Sequence, residues 1–387
     1  LSMQTRLAYS IEVITKVVHT LVGHPADAWR ILGLMDYAAT LKKYITILMH
    51  EGGSDLHFSV GAHPTIRVAG SLVPMLKEEV LKPEDTAGFL KALVSPEQEE
   101  RFMRELELDF SFTASDGSRL RGNAFFQRGS ISIALRLIPK KIATIAELNL
   151  PDTLLSFARK NQGFFLVVGP AGQGKTTTLA SLVEVINTER MEHIVTIEDP
   201  IEYIFEQKQS LIDQREVKID TKDFHTALVS AFREDADVIL VGEMRDSETV
   251  GAAVTAAETG HLVLSSLHTN NAAQTINRII DVFPSGQQDQ IRIQLASSLA
   301  GIFSQRLLPR ISGGLVPAYE LLINDNAVAN MIREKRTHEI NTMIETGSTK
   351  GMIDMNRSLA ELVARGEITV ETAYQYSLNP NMLQRLL

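Results

Sequence analysis

The residues with the clearest chemical meaning lie in one stretch, FFLVVGPAGQGKTTTL, from Phe164 to Leu179. Its spacing, Gly-x-x-x-x-Gly-Lys-Thr, is that of a loop whose backbone N–H groups surround phosphate oxygens. The glycines let these groups turn toward the phosphates, and the N-terminus of the following helix adds partial positive charge. Lys175 would reach the β- and γ-phosphates, and the Thr176 hydroxyl would bind Mg²⁺. The alternative is a glycine-rich turn with a chance lysine, but the apolar run before it and the helix-forming residues after it favour a nucleoside triphosphate site.

From Ile145 onward, strand and helix patterns alternate, which predicts a mostly parallel sheet with helices packed on it. The predicted strands are Phe164–Val168, His193–Ile197, Val238–Val241 and Leu262–Ser265. Because parallel strands end at one edge of a sheet, the residues after each strand would gather around the same nucleotide. The nucleotide-binding residues predicted in the loop and the start of its helix are Gly169, Pro170, Ala171, Gly172, Gln173, Gly174, Lys175, Thr176 and Thr177.

Carboxylates follow two of these strands. Glu198 and Asp199 come after the second strand, and Glu243 comes directly after the third. Transfer of a phosphoryl group to water needs one carboxylate to orient or deprotonate the water and another near hydrated Mg²⁺. Acidic residues at strand ends are usually only solvated, but two such clusters beside a phosphate loop favour catalysis. We predict that Glu243 activates the water.

The metal side of the site is predicted from the same residues. Gly242 precedes Glu243 where an aspartate is more common, so Mg²⁺ would depend on Thr176 and on the Glu198/Asp199 cluster. We predict Thr176, Glu198 and Glu243 as the metal-side residues.

Two histidines, His261 and His268, flank the last predicted strand. Residues at odd spacing on a strand point to opposite faces, and no carboxylate or cysteine lies between these two, so zinc is a poor interpretation. We predict a hydrogen-bonding or phosphate-sensing role for His268.

Composition limits the class of protein. A chain of 387 residues predicts two or three domains, and its net charge of −9 argues against nucleic acid as a partner. The absence of cysteine excludes disulfides, iron–sulfur clusters and cysteine-ligated zinc, as in a protein of the reducing cytosol. We found no apolar run of membrane-spanning length.

We predict four segments. Residues 1–34 are an N-terminal extension of unknown role, with Met35 as a natural start, and residues 35–138 form a smaller α+β domain. Residues 139–146 are a linker, and residues 147–387 form the α/β nucleotide domain with C-terminal helices. In the smaller domain, Arg121 and Arg128 belong either to a solvated strand face or to a phosphate contact across a domain or subunit boundary.

Four motifs together resemble the type II/IV secretion ATPases. They are GPAGQGKTTTLA, TIEDPIEY (Thr196–Tyr203), VILVGEMRD (Val238–Asp246) and TGHLVLSSLHTNNA (Thr259–Ala272), which look like the Walker A, Asp box, Walker B and His box of that superfamily. Within it, the chain from about Met35 onward is most similar to the type IV pilus retraction ATPases, the PilT family.

The resemblance implies a PAS-like domain, a RecA-like ATPase domain and a homohexamer that hydrolyses ATP with Mg²⁺. ATP would lie between the domains, and Arg121, Arg128 and Arg233 would reach its phosphates. Arg245 and His261, which lie inside family motifs, complete the predicted nucleotide-binding set. In the family, the Walker B glutamate is catalytic and the Asp-box acid helps with Mg²⁺ and water, which assigns those roles to Glu243 and Glu198.

The family also implies a motor at the cytoplasmic face of the inner membrane. It would act on a platform protein of the PilC type, affect pilin only indirectly, and leave nucleic acid unbound. Two alternatives stay open: an accessory retraction ATPase of the PilU type, and an assembly or secretion ATPase that uses ATP as a switch.

Two departures from the family pattern bear on this choice. The retraction motif AIRNLIRE corresponds to Ala327–Glu334, and its first arginine is replaced by Ala329. The alternative for this stretch is a plain amphipathic surface helix. Extension ATPases usually carry a tetracysteine zinc insertion, so the absence of cysteine favours retraction over extension.

Overall fold

A computed structural model of the chain describes residues 36–68, 70–138 and 141–387. The backbone forms two compact units, with the boundary between residues 139 and 140. The predictions for residues 1–34 and for Met35 lie outside the described residues.

The first unit is built on a six-stranded sheet in the order β3-β2-β1-β6-β5-β4, in which every neighbouring pair is antiparallel. Its elements are α1 (Tyr37–His50), β1 (Gly53–Phe58), β2 (Thr65–Val68), β3 (Ser71–Pro74), α2 (Pro83–Leu93), α3 (Pro96–Glu105), β4 (Glu107–Thr113), β5 (Arg119–Gln127) and β6 (Ser130–Leu137).

Helix α1 shows why this unit has its own core. Asp36 caps the helix through a hydrogen bond from the backbone N–H of Ala39, and apolar residues at helical spacing form one buried face. That face is Leu41, Tyr44, Ile45 and Leu48. It shares a core with Phe58 of β1 and Phe89 of α2, whose rings stack with their centroids 4.4 Å apart.

The second unit contains a seven-stranded sheet in the order β13-β12-β7-β11-β10-β8-β9, parallel throughout except for the antiparallel β12–β13 pair. Its strands are β7 (Gly163–Val168), β8 (His193–Glu198), β9 (Leu211–Glu216), β10 (Val238–Val241), β11 (Leu262–Leu267), β12 (Leu299–Pro309) and β13 (Leu315–Ile323).

The helices of this unit pack against the sheet or against its C-terminal hairpin. They are α4 (Leu155–Ala158), α5 (Lys175–Glu189), α6 (Phe224–Ala231), α7 (Ser247–Glu258), α8 (Ala272–Asp281), α9 (Gln288–Ser298), α10 (Asn326–Arg333), α11 (Ile340–Thr346), α12 (Met355–Ala364), α13 (Val370–Tyr376) and α14 (Pro380–Leu386). Short 3₁₀ turns lie at Asp152–Leu154, Thr337–Glu339 and Ser348–Lys350.

Strand β7 is buried on both faces, as its continuous apolar sequence predicts. Phe164, Leu166 and Val168 contribute to one hydrophobic core, and Phe165 and Val167 contribute to the other. The predicted fold class, an α/β nucleotide domain preceded by a smaller sheet domain, is confirmed. All four predicted parallel strands are present, and their carboxyl ends share one edge of the sheet.

Three strands of this sheet, β9, β12 and β13, are absent from the sequence prediction. Strand β12 pairs with β7 only as far as Ser304 and then continues with β13 alone to Pro309. The outer part of this hairpin shares a core with the C-terminal helices α12 to α14. Within the described ranges, we find no helix with the length and apolarity needed to cross a membrane.

Ala329, which replaces the first arginine of the family's retraction motif, lies in helix α10. Val328, Ala329 and Ile332 form the buried face of this helix, and Ala329 is only 6% exposed. The helix is amphipathic, and the position of the missing arginine faces the hydrophobic core and not solvent.

Candidate active site

The phosphate loop joins the end of β7 to the start of α5, and its glycines are required by its geometry. Gly169 and Gly174 have φ values of 150° and 78°, which side-chain-bearing residues rarely adopt. A Cβ atom on Gly169 would lie 2.4 Å from the carbonyl oxygen of Gln305. The loop is therefore packed closely against strand β12, and glycine is needed at Gly169 for this approach.

Lys175 is folded back over this loop. Its Nζ donates to the carbonyl oxygens of Gly169 and Pro170, both at 2.9 Å, and lies 3.4 Å from Nδ1 of His268. Burial lowers the pKa of Lys175, while the carboxylates of Glu202 and Glu243 act in the opposite direction. The ammonium therefore interacts with both carboxylates and with His268 at the carboxyl edge of the sheet.

Glu243 follows β10 at this edge, and its Oε1 forms an ion pair with Nη2 of Arg245, with 2.8 Å between the two atoms. The end of β10 is fixed by two serines of β11: the hydroxyl of Ser265 donates to the carbonyl of Val241, and that of Ser266 donates to the carbonyl of Gly242. These bonds hold the backbone that carries Glu243. The Arg245 side chain is 79% exposed, so it can leave Glu243 at little energetic cost.

Gly242 occupies a confined position, where a side chain such as aspartate would have close contacts with the neighbouring strand. Its N–H donates to the carbonyl of Ile197, and a Cβ atom would lie 3.3 Å from that same oxygen. Any side chain here would press against the backbone of β8 next to Glu198.

Glu198 is the last residue of β8 and is buried. It accepts from the Thr196 hydroxyl at 2.8 Å, from Nε2 of Gln214 at 3.3 Å and from the backbone N–H of Glu202 at 3.4 Å. Burial raises the pKa of Glu198 to about 7. The neighbouring Asp199 is instead exposed and accepts from Nζ of Lys218.

The side-chain oxygens near the phosphate loop are of the kind that holds Mg²⁺ in nucleotide-binding sites. Within the described residues, no three acidic or histidine side chains converge as a metal cluster. Mg²⁺ in such sites is held mainly by substrate phosphates, water and one or two protein oxygens. Thr176, which follows Lys175 at the start of α5, and Glu243 are the oxygen-bearing residues that would hold Mg²⁺ in this way.

His268 follows β11 at the same edge, whereas His261 precedes this strand at the opposite edge. Burial and the Lys175 charge lower the pKa of His268, which favours the neutral form of its imidazole. His261 hydrogen-bonds through Nδ1 to the carbonyl of Ala256, and its ring lies 5.8 Å from that of Phe232. Arg233 is next to Phe232, so the structure places His261 and Arg233 away from Lys175 within this unit.

The two predicted arginines of the first unit lie on and beyond strand β5. Arg128 is exposed in the two-residue turn between β5 and β6, with φ of 51° before Gly129. Arg121 lies on β5 between Ser111 and Arg136 on the neighbouring strands. Arg136 itself is paired with the buried Asp55 at 2.9 Å, which is a structural role.

Sequence reasoning missed three residues that contact the site. Glu202 acts on the charge of Lys175, and the Tyr203 hydroxyl lies 2.9 Å from that of Thr177. Both residues belong to the acidic motif Thr196–Tyr203. They lie several residues beyond the end of β8, and the prediction considered mainly the residues that follow each strand directly. Gln305, which contacts the phosphate loop, lies on the unpredicted strand β12.

Comparison with known proteins agrees with this geometry. Residues 37–382 match the family model described as type II/IV secretion system protein. The chain is 42% identical to the type IV pilus retraction ATPase PilT of Pseudomonas aeruginosa, covering 85% of this chain and 96% of that protein. It is 36% identical to the type IV pilus ATPase PilU of the same organism, covering 89% and 91%.

Among solved structures, a crystal structure of the pilus retraction motor PilT with bound ADP superposes with a TM-score of 0.84 at 45% identity. The match covers 89% of this chain and 98% of that one.

Proposed function

This chain belongs to the type II/IV secretion ATPase family, and from that premise we propose that it is an ATP-hydrolysing motor that powers retraction of a type IV pilus. The observation that carries the proposal is the convergence of Lys175, Glu243 and His268 at the edge of the sheet where the phosphate loop lies. The extent of the match to PilT, which spans 96% of that protein, supports retraction as the work that hydrolysis drives.

The site residues divide the chemistry between them. The loop N–H groups and Lys175 bind the phosphates, and bound Mg²⁺, held by Thr176, would neutralise charge on the transferred group. Glu243 orients the attacking water and accepts its proton. Neutral His268 offers a hydrogen bond near the γ-phosphate without adding charge. The buried Glu198 accepts a hydrogen bond from the backbone N–H of Glu202 and so positions the loop that follows β8. Asp199, which is exposed in the same loop, contributes to nucleotide binding.

The predicted assembly is part of the proposal. In a homohexamer, Arg121, Arg128 and Arg233 would reach phosphates bound by a neighbouring subunit. The ring would act at the cytoplasmic face of the inner membrane on a platform protein of the PilC type, so that pilin leaves the filament without direct contact. It would bind no nucleic acid.

The decisive variant is Glu243→Gln. It should bind ATP with unchanged affinity and lose hydrolysis by about a hundredfold or more, because the amide cannot accept the water proton. Phosphate release and nucleotide binding measure the two properties separately. Glu345→Gln, an exposed change on α11, is the matched control. Normal turnover in Glu243→Gln would refute the assignment.

The second candidate is an accessory retraction ATPase of the PilU type, favoured by Ala329 in the C-terminal motif and opposed by the lower identity to PilU. Deletion of the gene separates the two. More surface pili with lost motility indicate the main retraction motor. Retained motility with weakened force indicates an accessory ATPase, and loss of pili indicates an assembly ATPase.

A further inference from the structure

Strand β12 contributes a buried polar side chain, Gln305, which lies in the stretch SQRLLPR (Ser304–Arg310); this stretch resembles a segment of the family, but the sequence assigns Gln305 no role. Gln305 is only 3% exposed. Its Nε2 donates to the backbone carbonyl of Gln173 at 2.8 Å, and its Oε1 accepts from the Thr178 hydroxyl at 2.7 Å. One amide thus connects the phosphate loop to the first turn of the helix that follows.

The backbone of β12 makes further contacts with the same loop. The N–H of Leu307 donates to Oε1 of Gln173 at 2.7 Å, so the Gln173 side chain is also held by this strand. The carbonyl of Gln305 leaves no room for a side chain at Gly169. These contacts lie at Gly169, at Gln173 and at Thr178, which flank or follow Lys175.

We propose that Gln305 is a positioning residue that holds the phosphate loop in its nucleotide-binding shape. A glycine-rich loop has many accessible conformations, and ordering it on binding costs conformational entropy. A buried amide with both of its polar ends bonded to the loop and its helix removes part of that cost before the nucleotide arrives. Gln305 does not touch the reacting atoms, so its effect is on binding. The inference deepens the proposed function, because it concerns the same nucleotide site.

The test uses Gln305→Met in the full chain, because methionine keeps the volume and removes both hydrogen bonds. We expect the Kd for ADP and the KM for ATP to rise about tenfold, with kcat changed by less than about threefold. Steady-state phosphate release gives KM and kcat, and titration with ADP gives Kd. The surface change Gln290→Met on α9 is the control and should leave both constants unchanged.

A purely structural role would give a different pattern. It would lower the Tm of the nucleotide-free protein and leave the ADP-induced rise in Tm intact, whereas a positioning role reduces that rise at a fixed ADP concentration. Unchanged Kd and KM in Gln305→Met would overturn the inference.

A double-variant cycle adds a second check. Gln173→Ala removes the other side-chain bond between the loop and β12, so the losses in ADP affinity of Gln173→Ala and Gln305→Met should be less than additive. Strict additivity would count against a shared positioning role. If the wild-type protein itself neither binds ADP nor hydrolyses ATP, the proposed function fails instead.

Discussion

The Lys175 ammonium is held by two backbone carbonyls in a partly desolvated position. Within the described residues, no carboxylate forms a direct ion pair with it. Both hydrogen bonds are to loop carbonyls that a bound phosphate can replace. The lowered pKa records the energetic cost of this arrangement, and an anionic ligand relieves it. Lys175 can therefore exchange its two carbonyl partners for the charged oxygens of a bound phosphate.

Lys175→Ala should therefore weaken ADP binding by about a hundredfold, since a charge-assisted phosphate contact is lost from a desolvated site. Titration with ADP measures the change. Lys160→Ala, an exposed lysine in the same unit, is the control. Unchanged affinity in Lys175→Ala would contradict the phosphate-loop assignment.

Glu320 is a buried carboxylic acid outside the nucleotide site. It accepts from the backbone N–H of Ala272 at the start of α8, and burial raises its pKa from 4.5 to about 7. Because the folded protein binds this proton more tightly than the unfolded chain does, Glu320 makes stability fall as pH rises from about 4.5 to 7 and remain lower above that range.

Glu320→Gln removes the ionisation and keeps an acceptor for Ala272. We expect its Tm to exceed that of the wild type at pH 8 and to match it at pH 5. Thermal unfolding at the two values measures this, with Glu345→Gln as the exposed control. An equal Tm difference at both pH values would show that Glu320 does not titrate as its burial predicts.

At the scale of elements, the site residues lie at the carboxyl edge of the sheet. Strand β12 contacts two of the loops at this edge. The Ser304 hydroxyl and the Arg306 guanidinium bond to Asn270, two residues after His268, while Gln305 bonds to the phosphate loop. Alternate residues of one strand thus hold the loops that carry Lys175 and His268.

Helix α10 gives a test of the family motif. Ala329→Arg restores the motif arginine but places a guanidinium at the buried face, so we expect the Tm to fall by several degrees, equivalent to about 2 kcal/mol or more. Ala327→Arg makes the same chemical change at an exposed position of the same helix and should leave the Tm unchanged. Equal Tm values for the two variants would show that the helix accommodates an arginine at either face.

At the scale of the whole molecule, Arg233 and His261 lie at the amino edge of the sheet, a strand length of roughly 20 Å from Lys175. If these residues serve a nucleotide, it is one bound by another subunit. The variants Arg233→Ala and Lys175→Ala should each lack ATPase activity alone, and a mixture of the two should regain part of it. In a mixed ring, some interfaces between subunits combine an intact Arg233 from one subunit with an intact Lys175 from its neighbour. Phosphate release from the mixture measures this. A mixture as inactive as its components would exclude a shared site.

Local sequence determined the phosphate loop, its flanking strand and helix, the parallel strands and the acidic residues after them. Each depends on short-range chemistry: glycine conformations, apolar runs and the spacing around Lys175. The family followed from the same motifs and is confirmed. The predicted domain boundaries and site roles remain predictions.

Only the tertiary structure decided which residues meet. The burial of Glu198 and the contact of Gln305 with the phosphate loop both depend on how the strands are ordered in the sheet. Strand β12 has the least local signature, since polar residues such as Ser304 and Gln305 interrupt its apolar pattern. Those polar residues are buried because the loops they hold supply their hydrogen bonds, and such partners, distant in the chain, exist only once the sheet has formed.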